Sequence, residues 1–157
     1  MRKTVISLIA LSALTASALA YDSAKAAEFD GFFSHMTHKA CAESTLFVKA
    51  DDVMKMLREA KPMLLLDIRT EGEASVVGLG GAGSRHVPVE HLFEKANLDA
   101  LPSDRPIVIV CYSGSRATMA AMGLKMIGIK NVQVLKGGIV ALAASDTTKN
   151  APLKDEK

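Results

Sequence analysis

PIVIVCYSGSRATMAAM, residues 106–122, changes its period halfway along. Ile107, Val108, Ile109 and Val110 form a continuous run of branched apolar residues, the pattern of a strand covered on both faces. From Arg116 the pattern turns helical: Ala117, Ala120, Ala121, Leu124 and Ile127 fall on one stripe, and Gly128 stands where a helix is capped. Met119, Met122 and Met126 add a second apolar line, which predicts a helix covered on more than one side. Cys111 sits where the strand ends, ahead of a short polar loop that holds Gly114. A free cysteine often packs at such a place as a small hydrophobe. The opening of a helix offers something more, a set of N–H groups and a positive dipole end that favour a thiolate and hold an anion beside it.

The alternation extends in both directions. Thr45 to Val48 is a short candidate strand, and DDVMKMLREA (51–60) a helix with Val53, Leu57 and Ala60 on one face, stopped by Pro62. MLLLDI (63–68) is a second continuous apolar strand. Gly78 to Gly83 is too rich in glycine for a regular element and is expected to be a loop. His86-Val87-Pro88 then suggests a short strand and VEHLFEKA (89–96) a short helix. Beyond the quoted stretch come a strand at Val132 to Leu135, a turn at Gly137-Gly138 and a terminal helix from Ile139 to Ala144. Strands alternating with helices predict an α/β fold, a small parallel β-sheet with helices on both faces. That domain covers 43–144. Residues 21–42 show no clear period and are expected to form a loosely held lead-in, and SDTTKNAPLKDEK (145–157) a disordered polar tail.

The first 20 residues stand apart. Met1-Arg2-Lys3 is a charged start, Val5 to Ala16 a mostly apolar run, and Ala18-Leu19-Ala20 an A-x-A cleavage site, the three parts of a signal peptide. The apolar run is shorter than the roughly 20 residues that span a bilayer. The expectation is therefore a periplasmic or otherwise exported protein with no membrane association after the signal is removed. Without Arg2 and Lys3, the 17 remaining Lys and Arg face 17 Asp and Glu, so no global field points to nucleic acid or an anionic membrane. Trp is absent, which argues against stacking platforms for bases or sugars. Two cysteines in an exported chain, Cys41 and Cys111, are enough for one disulfide. Such a bridge would consume the thiol of the quoted loop, and Cys41 lies in a segment of weak structural signal. His35, His38 and Cys41 are spaced to share one side of a helix, but a metal site needs a further ligand, so neither metal nor cofactor is expected. His86 and His91 have the positions of turn and helix-surface residues.

In open parallel sheets, ligands sit beyond the carboxyl ends of strands, close to helix N-termini. Cys111 occupies such a position as candidate nucleophile. The loop Cys111, Tyr112, Ser113, Gly114, Ser115, Arg116 is compact, and Gly114 is free to adopt angles closed to other residues. Inward-turned N–H groups from Tyr112 to Arg116 would hold an anion, with the Arg116 charge at the rim. Tyr112 is a candidate wall residue facing substrate or solvent, with a packing role equally open.

With these parts in view the chain resembles a single-domain rhodanese, a sulfurtransferase. The resemblance rests on LLLDIRTEGE (64–73), similar to the family's Asp-Val-Arg segment, and on GSRHVP (83–88), similar to its Gly-Ala-x-x-Ile-Pro turn. It rests further on CYSGSRA (111–117), matching Cys-x-x-Gly-x-Arg, and on VQVLKGG (132–138), matching its closing strand and double glycine. EASVVGLGGAG (73–83) and Leu142 depart from the family pattern, Leu142 standing where a tryptophan often follows the double glycine. The resemblance implies that the Cys111 thiolate takes the outer sulfur of a small anionic donor such as thiosulfate, holds it as a persulfide and passes it to cyanide, a thiol or a protein acceptor. Asp67 and Arg69 are supporting residues: Asp67 orients the loop or pairs with an arginine, and Arg69 either reaches substrate or makes a structural ion pair.

Two other readings share the fold. A persulfide carrier or interaction module would receive sulfur and hand it on without efficient turnover. Cysteine phosphatases and arsenate reductases resemble this arrangement too, but their loop is Cys-x5-Arg, widened for a tetrahedral oxyanion, whereas Cys111 and Arg116 are spaced Cys-x4-Arg.

Overall fold

The computed structural model describes residues 21–81 and 83–145. The signal-peptide reading of 1–20 lies outside the described residues, as does the polar tail apart from Ser145, which closes the last helix. In chain order the elements are α1 (Ser23–Phe33), α2 (His38–Ala42), β1 (Phe47–Val48), α3 (Ala50–Arg58), β2 (Leu64–Asp67), α4 (Glu71–Val76) and β3 (Ser84–His86). A 3-10 turn (Val89–His91) follows, then α5 (Lys95–Asp99), β4 (Ile107–Val110), α6 (Ser115–Met126), β5 (Val132–Leu135) and α7 (Gly138–Ser145).

The five strands form one sheet in the order β1-β5-β4-β2-β3, with every pairing parallel. Parallel neighbours need crossovers, which places helices on the faces of the sheet. Side-chain alternation along the strands then divides the core in two. Leu64, Leu66, Ile107, Ile109 and Val134 pack with the Ala117, Ala120, Ala121 and Leu124 face of α6. Leu65, Val108, Val110 and Leu135 pack with Val53 and Met54 of α3 and with Ile139 and Leu142 of α7. Every residue of β2 and β4 is buried, which is why both segments read as unbroken apolar runs.

Several expectations need correction. Residues 21–42, where no period was legible, hold two helices, α1 and α2, neither with a buried residue. The Asp22 carboxylate caps α1 by accepting from Ala24 and Lys25 N–H at 3.0 and 3.1 Å. No residue of α1 is buried, so it carries no apolar stripe for a periodicity reading to find. α4 was also missed, and it is discussed with the site below. On α3 the buried residues are Val53 and Met54, while Ala60 lies past the helix end at φ 49°. The 89–96 helix is interrupted, because Leu92 turns fully into the core between the 3-10 turn and α5. On α6 the alanine and Leu124 stripe is buried, but Ile127 and Met119 are exposed and Met122 and Met126 are half-buried, so one side alone is covered.

Candidate active site

β4 lies in the middle of the sheet and ends at Val110, leaving Cys111 at its carboxyl end and only 1% exposed. The register sets Asp67, the last residue of β2, opposite Val110. Two β-strand ends thus bring Cys111, Asp67 and Arg69 to one edge of the sheet.

The loop after Cys111 is shaped from two sides. Gly114 has φ +103°, a conformation closed to most side chains, and its N–H donates to Cys111 Sγ at 3.1 Å. Its carbonyl accepts from Thr118 N–H and Oγ1, both at 2.9 Å, which joins the loop to the first turn of α6. From the other side, the start of α7 donates to the loop carbonyls: Ile139 N–H to Cys111 O at 2.8 Å and Val140 N–H to Tyr112 O at 3.4 Å. Gly138 makes that approach possible. A Cβ on it would stand 2.4 Å from the carbonyl oxygens of both Cys111 and Tyr112. Amide donors at the end of α7 are therefore spent on the back of the loop, while the Gly114 amide faces the sulfur.

Two arginines frame this loop, with different roles. Arg69 is buried with Asp67, donating from Nε to Oδ1 at 2.9 Å and from Nη2 to Oδ2 at 2.6 Å. Its Nη2 also donates to Val77 O at 2.6 Å, which ties β2 to the end of α4. The Asp67 hydrogen bonds raise the Arg69 guanidinium above its usual value. Of the two roles open to Arg69, the structure shows the ion pair. Arg116 instead grips Glu73 with both arms of its fork, Nη1 to Oε2 at 2.8 Å and Nη2 to Oε1 at 2.6 Å. Glu73 raises Arg116, and the Cys111 sulfur adds a smaller electrostatic and hydrogen-bonding contribution in the same direction. The Arg116 guanidinium is thus paired to Glu73 from the first turn of α6. Glu73 is held well below the ordinary carboxyl range, at about 2, first by Arg116 and then by the Thr70 N–H.

The remaining sequence candidates are distributed unevenly. Tyr112, Ser113 and Ser115 are exposed along the loop, with the two serine hydroxyls 3.5 Å apart. Cys41 lies exposed and no disulfide joins it to Cys111. Among the described residues, no cluster of three His, Cys, Asp or Glu is arranged to hold a metal ion. His86 contacts Arg69 O at 2.8 Å and His91 contacts Glu94 at 2.7 Å, so both are engaged away from the thiol.

Sequence reasoning missed Glu73 and the surface next to it. Glu73 completes a capping box at the start of α4: Thr70 Oγ1 accepts from Glu73 N–H at 3.2 Å, and Glu73 Oε2 accepts from Thr70 N–H at 3.0 Å. The signal was present as Thr-x-x-Glu at 70–73, but Gly72 and the glycine-rich stretch after Val77 hid the helix it opens. Beside it lies a cavity of about 500 Å³ walled by Val76, Val77, Tyr112, Ile139, Val140 and Ala143, with Arg69 and Glu73 at its polar side.

Fold and site together define a doubly covered parallel α/β domain with a cysteine loop at the carboxyl end of its central strand. Residues 49–145 match the family model of the Rhodanese-like domain, and the chain belongs to that family. A sulfurtransferase of Allochromatium vinosum is 32% identical over 96 residues, covering 61% of this chain and 86% of that protein. The probable adenylyltransferase/sulfurtransferase MoeZ of Mycobacterium tuberculosis is 28% identical over 116 residues, which are 74% of this chain but only 29% of that protein. In fold, the chain is similar to the single-domain sulfurtransferase RDL2 of Saccharomyces cerevisiae, with TM-score 0.55, 20% identity, and coverage of 70% of this chain and 98% of that one. The family is one of sulfurtransferases, proteins that take sulfur from a donor and give it to an acceptor.

Proposed function

We propose that the protein transfers sulfane sulfur through a persulfide on Cys111. The observation that carries this reading is the environment of one atom: Cys111 Sγ, at the carboxyl end of the central strand, accepts from the Gly114 N–H at 3.1 Å where the loop opens α6. A backbone N–H aimed at that sulfur is a donor ready for the negative charge of a bound persulfide. With thiosulfate as donor, the thiolate attacks the outer sulfur, a new S–S bond forms at Cys111, the S–S bond of the donor breaks, and sulfite leaves with the electron pair. The persulfide keeps the same Gly114 donor. In the second half, cyanide or an acceptor thiolate attacks the outer sulfur and Cys111 departs as thiolate.

Tyr112, Ser113 and Ser115 line the route to the sulfur, Gly114 holds it, and Arg116 stands at the rim. Because Cys111 is buried, the persulfide adds reach: an S–S bond carries the reactive atom about 2.05 Å further from the strand end. Export to the periplasm is part of the same proposal, supported by the charged, apolar and A-x-A order of residues 1–20.

The test is intact mass of the protein after incubation with thiosulfate, before and after cyanide. A gain of one sulfur atom that cyanide removes, absent in Cys111→Ser, is the expected result. No gain with any sulfane donor would overturn the reading.

A further inference from the structure

Two independent features beside the Cys111 loop bear on the chemical class of the donor. The first is charge. The Arg116 fork is filled by both oxygens of Glu73, at 2.8 and 2.6 Å, and Glu73 is itself anchored by Thr70 N–H and Oγ1, both at 3.0 Å. The carboxylate stays ionised at neutral pH, so the pair has no net charge. A dianion approaching Cys111 meets an arginine already neutralised and a fixed negative group next to it. Arg69 does not replace it, because its guanidinium is committed to Asp67 and Val77 O.

The second feature is shape and polarity. The cavity of about 500 Å³ is lined by Tyr112, the residue after the thiol, together with Val76, Val77, Ile139 and Val140. Val76, Val77, Tyr112 and Val140 are all exposed large side chains, grouped at one mouth rather than scattered. Such a surface gains nothing from sulfonate oxygens and gains from burying a hydrocarbon body.

We propose that the sulfur donor is an organic persulfide whose apolar group sits in this cavity, and that Glu73 is the specificity-determining residue that selects it over inorganic dianions. This deepens the Cys111 sulfur-transfer reading and rests on it. The step balances without any other reagent. The Cys111 thiolate attacks the outer sulfur of R–S–SH, the Cys111 S–S bond forms as the R–S–S bond breaks, and the thiolate R–S⁻ leaves. The persulfide proton stays on the transferred sulfur through the exchange and passes to solvent or to the leaving thiolate afterwards. Nothing is oxidised or reduced overall, since the sulfane sulfur changes only its carrier.

The test compares thiosulfate with benzyl persulfide, released from a stable precursor, as donors to the full chain. Persulfide on Cys111 is followed by rapid-quench intact mass, and each rate constant is divided by that of the same donor with a small free thiol. The normalised constant is expected to favour benzyl persulfide by about tenfold or more, the scale of one lost charge contact. Glu73→Gln keeps an oxygen for Thr70 and removes the charge, so it should raise the thiosulfate constant and narrow the preference. Val140→Asp should lower the benzyl persulfide constant more than the thiosulfate constant. A purely structural Glu73 would slow both donors alike, and that result, or equal normalised constants in the wild type, overturns the assignment. Binding supplies a second arm: Cys111→Ser, which cannot be loaded, is titrated with the two leaving groups, benzyl thiol and sulfite. Tighter binding of sulfite overturns the donor assignment whatever the wild type does. Tighter binding of benzyl thiol with no loading of the wild type by either donor overturns the sulfur-transfer reading instead.

Discussion

Cys111 and Cys41 differ in everything that controls thiol chemistry. Cys111 has a strand end behind it, the Gly114 amide on its sulfur and Arg116 nearby, whereas Cys41 lies exposed near the end of the five-residue helix α2. Cys111→Ser is expected to abolish cyanide-labile sulfur, because a hydroxyl is a poor nucleophile toward sulfur and cannot form a persulfide, while Cys41→Ser keeps most of the loading. Loading at the wild-type rate by Cys111→Ser, read by intact mass, would sink the assignment. Arg116→Ala leaves the Glu73 carboxylate without its partner and should, at an unchanged circular-dichroism spectrum, slow iodoacetamide alkylation of Cys111 at neutral pH by about tenfold, the scale of one charge-assisted contact. An unchanged alkylation rate would reduce Arg116 to a tether for Glu73. A separate residue-scale prediction concerns Ala60, the one non-glycine with positive φ among the described residues, where Lys61 N–H turns back to Met56 O at 2.9 Å to close α3. Glycine takes that conformation without strain, so Ala60→Gly should stabilise the fold by about 0.5–1 kcal/mol, seen as a higher urea midpoint at unchanged slope.

At the scale of elements, the site depends on two joins. In the first, α7 starts against the Cys111 loop through Gly138, where φ is +61° and a Cβ would collide with two carbonyl oxygens. Gly138→Ala is expected to cost about 2 kcal/mol or more by urea unfolding and to disturb Cys111 reactivity with it, since relieving the clash moves the loop. The second join is α4 to the start of α6 through Glu73 and Arg116, and it gives the fold a pH dependence. The folded carboxyl lies at about 2, below its unfolded value, so this stabilisation is present above about pH 4.5 and is lost as pH falls toward 2. Solvent screens a pair whose side chains are 29% and 33% exposed, which reduces the contribution to on the order of 1 kcal/mol. Glu73→Gln should therefore lower the urea midpoint at pH 7 and converge with the wild type near pH 2. A constant difference across that range would refute the linkage. α4 also marks where element-level reading failed: its capping box was in plain view, but six residues ending in Ser-Val before a glycine-rich loop carry no stripe to count. α1 failed for the related reason that none of its residues is buried.

For the whole molecule, export predicts that protein recovered from the cell envelope begins at Tyr21. Soluble cytosolic protein retaining Met1 would refute it. The parallel α/β class, the two central strands, the α6 helix and the position of Cys111 were all legible in the amino-acid order. Ile107–Val110 and Leu64–Asp67 are continuous apolar runs because both faces of those strands are covered, and a run of that kind is visible in one segment alone. Gly114, Gly137 and Gly138 were likewise visible as turn residues, and each has positive φ. Other features belong to the assembled sheet. Asp67 was open to orienting the loop or pairing with an arginine, and Arg69 to substrate or an ion pair, until the β2–β4 register set Asp67 against Val110 and enclosed the pair. Glu73 and Arg116 are 43 residues apart, and no local pattern links them. The amino-acid sequence by itself determined the central strands, the α6 helix and the thiol, because periodicity and turn chemistry act over a few neighbouring residues. Only the tertiary structure decided which charge neutralises Arg116 and which apolar side chains share a cavity with Tyr112, because those contacts arise where strand order and crossover helices bring distant segments to the same edge of the sheet.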